Sequence, residues 1–369
     1  MTLLLFYVKK WRNMNKLFST LVISLVFFTN FCIANSFQCF DSPSKGDTFD
    51  HQTILFSGNT NLPLAEKIAN YLGTTLGSVI LKKINDTEIC FPKEDSIRGK
   101  NVLILQSSCS SSGQNLNDNL MELYLLVRTM KRASAASITA IIPYYGYTRQ
   151  DKRLHQRAPV STSDIALFLE VAGVDRVATL DLHGGQIQGF FRNTPVDNLY
   201  AASLFVPYFA VKDLSNVVVV SPDIEDIERA KKFAEGLETY GIPTEMAVVT
   251  KQRGAFGKVQ SLTLVGNVQD ADVILVDDIC YTADTLIKAA QLLHEQGARR
   301  IFAIVTHPVF SNNTLEEIGN SIIEEMVIAD TIPLRESAPS NIRSISVAPL
   351  LGTAIRKTPV GNSLADLFP

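Results

Sequence analysis

From His51 onward, short apolar runs recur along the chain, and most give way to a polar turn and then to a segment with apolar residues three and four positions apart. Ile54 to Phe56, Val102 to Leu105, Ile138 to Ile142, Arg176 to Leu180, Val217 to Val220, Glu245 to Val249, Val273 to Val276, Ile301 to Thr306, Met326 to Ala329 and Ser344 to Val347 read as strands. Most are apolar at nearly every position, the mark of strands covered on both faces. Leu62 to Leu72, Leu116 to Ser134, Ser163 to Ala172, Asp226 to Tyr240 and Leu286 to Gln296 carry the helical spacing, and a last helix falls near Ala348 to Lys357. Asn117, Asp118 and Asn119 offer a cap to the second of these helices. Val79 to Phe91 reads as a strand pair carrying Asp86 and Glu88. Alternating strand and helix predicts an α/β fold of parallel sheets joined by right-handed crossovers. The pattern runs in two series, predicting domains over residues 51–195 and 196–369 with a site between them, the final helix placed to pack back on the first.

In such sheets ligands sit at the carboxyl ends of strands, where helix N-termini point free N–H groups at them. The stretch from Asp272 to Thr285 has this form: the run Val273 to Val276, the paired carboxylates Asp277 and Asp278, a short turn, then a helix. Adjacent acids suit vicinal hydroxyls or a divalent cation, and Thr282 and Thr285 offer hydroxyls and amides to a phosphate. Other strands end in Arg149, Gln150 and Asp151, in His183, in Asp223, and in a basic loop with Lys251 and Arg253. Gathered at one edge, these groups describe a site for a polyanion and a divalent metal. The cations would stabilise charge on a transferring phosphate, and His and Asp would hold the ion.

At 369 residues, 46% apolar and 19% charged, the composition is that of a globular protein of two domains. The N-terminus changes the picture. Lys9, Lys10, Arg12 and Lys16 precede an apolar run from Leu17 to Phe28, with small side chains at Cys32 and Ala34. This is a signal-peptide pattern with cleavage after Ala34, which predicts an exported or periplasmic protein. The alternatives are an uncleaved membrane anchor over the same segment and a later start at Met14. Without residues 1–34 the chain has 30 basic against 37 acidic residues, a charge of −7 that argues against a nucleic-acid partner. Cys39, Cys90, Cys109 and Cys280 are widely spaced with no CxxC pair, which argues against zinc and for buried thiols, with one or two disulfides as the alternative.

Long motifs then make the chain recognisable from Ile54 to about Phe368: Asn117-Asp-Asn-Leu-Met-Glu-Leu123, Tyr147-Thr-Arg-Gln-Asp151, Asp181-Leu-His183, Pro195-Val-Asp-Asn198, Val219-Val-Ser-Pro-Asp223, Thr306-His-Pro308 and Asp330-Thr-Ile-Pro-Leu334. It resembles the ribose-phosphate diphosphokinase (PRPP synthetase) family. The resemblance implies two phosphoribosyltransferase-like domains, each a mainly parallel sheet flanked by helices. It also implies Mg²⁺-dependent transfer of diphosphate from ATP to ribose 5-phosphate, and a homo-oligomer, by the family's habit a hexamer. By position, it implies ATP contacts at Asp86, Glu88, Arg149 and Gln150, and a metal pair at His183 and Asp223. Catalytic cations fall at Lys251 and Arg253 on a mobile loop, and ribose 5-phosphate contacts at Asp277, Asp278, Thr282 and Thr285.

The ligand-facing loops depart from the family pattern. Its phosphate loop reads Asp-Asp-x-x-Asp-Thr-Gly-Gly-Thr, whereas here Tyr281 replaces an acid and Ala283 and Asp284 replace glycines. Glu225 and Asp226 stand where a glycine pair is usual, Gly184 and Gly185 where Ala-Glu is usual, and Ile84 where an aromatic would stack on adenine. A charge on Asp284 at ~5 Å from a phosphate would cost roughly 3 kcal/mol at an effective dielectric of ~20, and far less if the side chain turns to solvent. Three readings follow: a working diphosphokinase, a weak or inactive regulatory homologue, and an exported relative with another nucleotide or sugar-phosphate ligand.

Overall fold

The structure, a computed structural model, describes residues 49–79, 82–84, 88–90, 96–111, 113–153, 156–253, 259–311, 313–358 and 363–367. The leader and Asp86 lie outside the described residues. Five parallel strands form the first sheet: β1 (Thr53–Ser57), β4 (Asn101–Leu105), β5 (Ser137–Ile142), β6 (Arg176–Leu180) and β7 (Val196–Leu199), in that spatial order. A short antiparallel pair, β2 (Lys82–Ile84) and β3 (Glu88–Cys90), stands apart from it. Since β7 pairs in parallel with β6, the first sheet runs past residue 195 and takes in Val196–Leu199, which the repeat pattern had opened the second unit with.

The second sheet has the order β10-β9-β8-β11-β12-β13-β14, from β8 (Val217–Ser221), β9 (Thr244–Arg253), β10 (Val259–Val265), β11 (Asp272–Cys280), β12 (Arg300–Pro308), β13 (Glu325–Ala329) and β14 (Ile342–Ile345). It is parallel except at β10, which returns antiparallel along β9. The basic stretch predicted as a loop is therefore the end of a strand, with Lys251 opposite Leu262 and Arg253 opposite Val259. An edge hairpin escaped the sequence reading because the antiparallel strand alternates in character, unlike the all-apolar runs of the sheet centre.

Helices fill three layers. On the outer face of the first sheet lie α2 (Leu116–Arg132) and α3 (Ser161–Ala172), and on the outer face of the second lies α6 (Asp284–Glu295). Between the sheets, α1 (Leu62–Leu72), α4 (Ala202–Ala210), α5 (Ile227–Thr239) and α8 (Ala348–Lys357) share one continuous core, in which Leu55, Leu180 and Phe205 meet Phe233, Ile274 and Leu350. The remaining short helix is α7 (Thr314–Gly319). Asn115, rather than the residues after it, caps α2: its side chain accepts from the Asn117 and Asp118 N–H groups while Asp118 answers to the Asn115 N–H. The C-terminal α8 does pack on α1, where Tyr71 Oη lies 2.9 Å from Thr353 Oγ1.

Polar joints close the gap between the sheets and bring their carboxyl edges together. His307, buried at the end of β12, sits 3.0 Å from Thr331 Oγ1 through Nδ1 and 3.1 Å from the Leu180 carbonyl through Nε2. Asp330 accepts from Lys67 and from the Val347 N–H, and its carbonyl accepts from Asn61. Such groups are buried at tolerable cost only because each finds a partner.

Candidate active site

Two loops of different sheets meet at the joined edges. The Asp181 to His183 turn leaves β6, and His183 Nδ1 lies 2.8 Å from Asp278 Oδ2 on β11. Asp181 sits at φ 38°, a left-handed conformation that a non-glycine residue holds only when its surroundings compel it. They do: its carboxylate accepts from the Ala201 N–H at 3.1 Å and from Thr306 Oγ1 at 2.7 Å, and pairs with Arg229 Nη1 at 3.1 Å.

Arg229 organises the rest. From the first turn of α5 its nearly buried guanidinium reaches Asp181, Asp226 Oδ1 at 3.3 Å and Asp278 Oδ2 at 3.7 Å. The sequence reading missed it. Its only sequence signal is its place one helical turn after Asp226, a spacing at which an acid and a base face each other.

Asp226, Asp277 and Asp278 place carboxylate oxygens within 4.8 Å of one another, the one such group of potential metal ligands among the described residues. Burial and the neighbouring Asp278 push the Asp226 carboxyl up to about 7. Burial and the same neighbour also raise Asp277 well above the usual carboxylate range. Burial would raise Asp278 too, but the His183 hydrogen bond and Arg229 prevail and hold it down to about 2. The hydrogen bond to Asp278 in turn raises His183 against the opposing effect of burial. Fully ionised, the trio would carry more negative charge than His183 and Arg229 neutralise, so it holds a proton or calls for a cation. An all-oxygen set of three carboxylates fits a hard divalent ion such as Mg²⁺. Asp223, placed in the metal pair by resemblance, turns its Oδ1 to the N–H groups of Glu225 and Asp226 at 3.0 and 3.2 Å, so it shapes the loop that carries Asp226.

A cavity of about 220 Å³ opens beside the trio, with His183, Asp226, Asp277 and Arg229 at its polar end and Phe205 and Phe233 at its apolar end. A larger cleft of about 550 Å³ lies between Arg149, Gln150, Tyr144 and Tyr147 of the first half and Ile279 and Tyr281 of the second. The structure thus brings Arg149 and Gln150 to one cleft, and His183, Asp277 and Asp278 to one cluster. It gives the backbone of Lys251, Arg253 and Glu88 in strands.

In the phosphate loop, Thr282 is exposed and Thr285 lies in the first turn of α6. Asp284 opens that helix, where the aligned peptide dipoles favour a carboxylate, and it pairs with Lys288 Nζ at 3.6 Å. Its side chain is 68% exposed, so its repulsion of a bound phosphate is screened to a fraction of the contact value. Tyr281 is 54% exposed and lines the larger cleft. Cys109 and Cys280 are free, buried thiols, raised by that burial to about 12 for Cys109 and further for Cys280.

Two parallel-sheet halves with a polar site at their joined carboxyl edges define a protein of the phosphoribosyltransferase-like α/β class. Residues 53–173 match the model of the N-terminal domain of ribose phosphate pyrophosphokinase, and residues 241–369 that of the phosphoribosyl synthetase-associated domain. The chain is 42% identical over 314 residues to a ribose-phosphate pyrophosphokinase of Campylobacter jejuni, covering 85% of this chain and 98% of that one. One from Ralstonia nicotianae is 41% identical over 318 residues, with the same shares covered. The crystal structure of phosphoribosylpyrophosphate synthetase from Mycobacterium smegmatis superimposes with a TM-score of 0.76 at 33% identity, covering 84% of this chain and 99% of that one. The chain belongs to the ribose-phosphate pyrophosphokinase family.

Proposed function

We propose that the protein transfers the diphosphoryl group of ATP to the 1-hydroxyl of ribose 5-phosphate, giving PRPP and AMP. The observation that carries this reading is the His183–Asp278 contact at 2.8 Å, which unites the strand-end groups of two sheets at one point. Asp226, Asp277 and Asp278 would hold Mg²⁺, which when bound supplies positive charge to neutralise the phosphate chain. Arg149 and Gln150 form the wall for the nucleotide, and Asp277 and Asp278 receive the ribose hydroxyls. His183 keeps Asp278 ionised and oriented. Lys251 and Arg253, at the end of β9, are assigned to the transferring phosphates by family position, and a homo-oligomer is assigned on the same ground.

A second reading, a weak or inactive homologue, is favoured by one observation: the chain's own acids already occupy cations at the site, Glu225 on Lys152 and Asp226 on Arg229. Full-length protein incubated with MgATP and ribose 5-phosphate decides between them. Formation of AMP and PRPP is expected. Complete inactivity, restored by Tyr281→Asp, Ala283→Gly and Asp284→Gly together, would assign the protein to the second reading. Export by cleavage after Ala34 is proposed separately, and N-terminal sequencing of the native protein should then find Asn35 first.

A further inference from the structure

The loop after β8 and the loop after β5 belong to different sheets, yet Glu225 Oε1 of one lies 2.5 Å from Lys152 Nζ of the other, 73 residues away. The Glu225 N–H is held by Asp223 Oδ1 at 3.0 Å, which fixes the backbone, and the side chain borders the cavity that also receives His183, Asp226 and Asp277. Lys152 follows directly on Arg149, Gln150 and Asp151, and Asp151 is itself held by Gln186 Nε2 at 2.6 Å. The cations lining this mouth are matched from within, His183 by Asp278, Arg229 by three acids, and Lys232 by Glu228 at 3.7 Å and by the Tyr200 ring at 4.2 Å. Lys152 joins the rim through its pair with Glu225.

These pairs are not equally exchangeable. Arg229 is nearly buried, and stripping an acid from it would leave an uncompensated charge out of water. Lys152 and Glu225 are 50% and 60% exposed, so water screens their attraction and either partner is released at small cost. The Lys232–Glu228 contact is also loose, with Glu228 84% exposed, but Lys232 keeps the Tyr200 ring when the acid leaves. Lys152, by contrast, is held by Glu225 and is the more exposed of the two lysines.

We propose that Glu225 is a specificity-determining residue, a resident anion that competes with the phosphate chain of the nucleotide for Lys152. The inference rests on the nucleotide-binding part of the reading above. It makes the site's preference for a polyanion depend on ionic strength and on one residue outside the metal cluster.

Calorimetric titration of the full-length protein with a Mg²⁺-loaded, non-transferable ATP analogue tests this, and requires no turnover. Glu225→Gln, which keeps the side-chain shape, and Glu225→Gly should each bind about two- to five-fold tighter than wild type, the scale of an exposed ion pair. The gain should shrink at about 0.5 M salt. Lys152→Ala should weaken binding more in the Glu225→Gln background than in wild type, where Glu225 already neutralises the lysine. Unchanged affinity in both Glu225 variants, or an equal effect of Lys152→Ala in the two backgrounds, overturns the proposal. Binding without PRPP formation counts against the catalytic reading alone, whereas no binding in any variant overturns both.

Discussion

At the scale of single residues the site is a problem of charge. Three carboxylates converge on Arg229, and its guanidinium is what allows Asp181, Asp226 and Asp278 to be buried together. Arg229→Met keeps the volume and removes the charge, leaving three acids against one partly buried histidine. The variant should lose about 3–5 kcal/mol of stability, the scale for breaking a buried ion pair from one side. Urea unfolding measures this, and a loss below 1 kcal/mol would mean that solvent already neutralises the cluster. Adding Asp226→Ala to Arg229→Met should recover part of the loss. The acids at strand ends were legible in the sequence because polar residues stand out where an apolar run stops. Arg229 was not, since an arginine in the first turn of an amphipathic helix reads as surface until the fold turns that face inward.

Within elements, β11 shows how a central strand tolerates a buried charge at its start. Asp272 is fully buried, and it accepts hydrogen bonds from Arg299, from Arg300 and from the Ser215 N–H at 2.8 Å. Burial alone would raise its carboxyl, but the hydrogen bonds from Arg300 and Arg299 outweigh it and hold Asp272 well below the usual range. The sign follows from linkage. A carboxyl with a depressed folded pKa adds stability above its unfolded value of 3.8, and that contribution fades as pH falls toward the folded value. Asp272→Asn should therefore cost about 2 kcal/mol near neutral pH, the scale of hydrogen bonds to charged groups. It should also flatten the loss of stability below about pH 4. Chemical denaturation across the acid range reads both, and identical acid profiles for variant and wild type would remove Asp272 as the source. The strand itself was legible from Val273 to Val276. Its clamp was not, because Arg300 opens the neighbouring strand, Arg299 stands just before it, and the two reach Asp272 only once β11 and β12 pair.

Over the whole molecule, the two sheets share a core and should unfold as one. Gly352 in α8 lies so close to α1 that a Cβ there would clash with the Tyr71 ring at Cδ1. Gly352→Leu should cost about 1–3 kcal/mol through overpacking. Because α1 and α8 belong to the layer between the sheets, near- and far-ultraviolet circular dichroism should still report one coincident transition. Separate transitions for the two halves would show that the shared layer does not couple them. Most of the strands and helices, the parallel character of the sheets apart from the edge hairpin of β9 and β10, and the placement of Asp277, Asp278 and His183 at strand ends were determined by the sequence alone. Each follows from local periodicity and from where an apolar run breaks. Tertiary structure alone decided which strand ends meet: His183 with Asp278 across 95 residues, Thr306 with Asp181 across 125, and Lys152 with Glu225 across 73. No local pattern encodes these pairs, because each is set by how two sheets settle on a common apolar layer, and only that settling turns strand-end acids into a site.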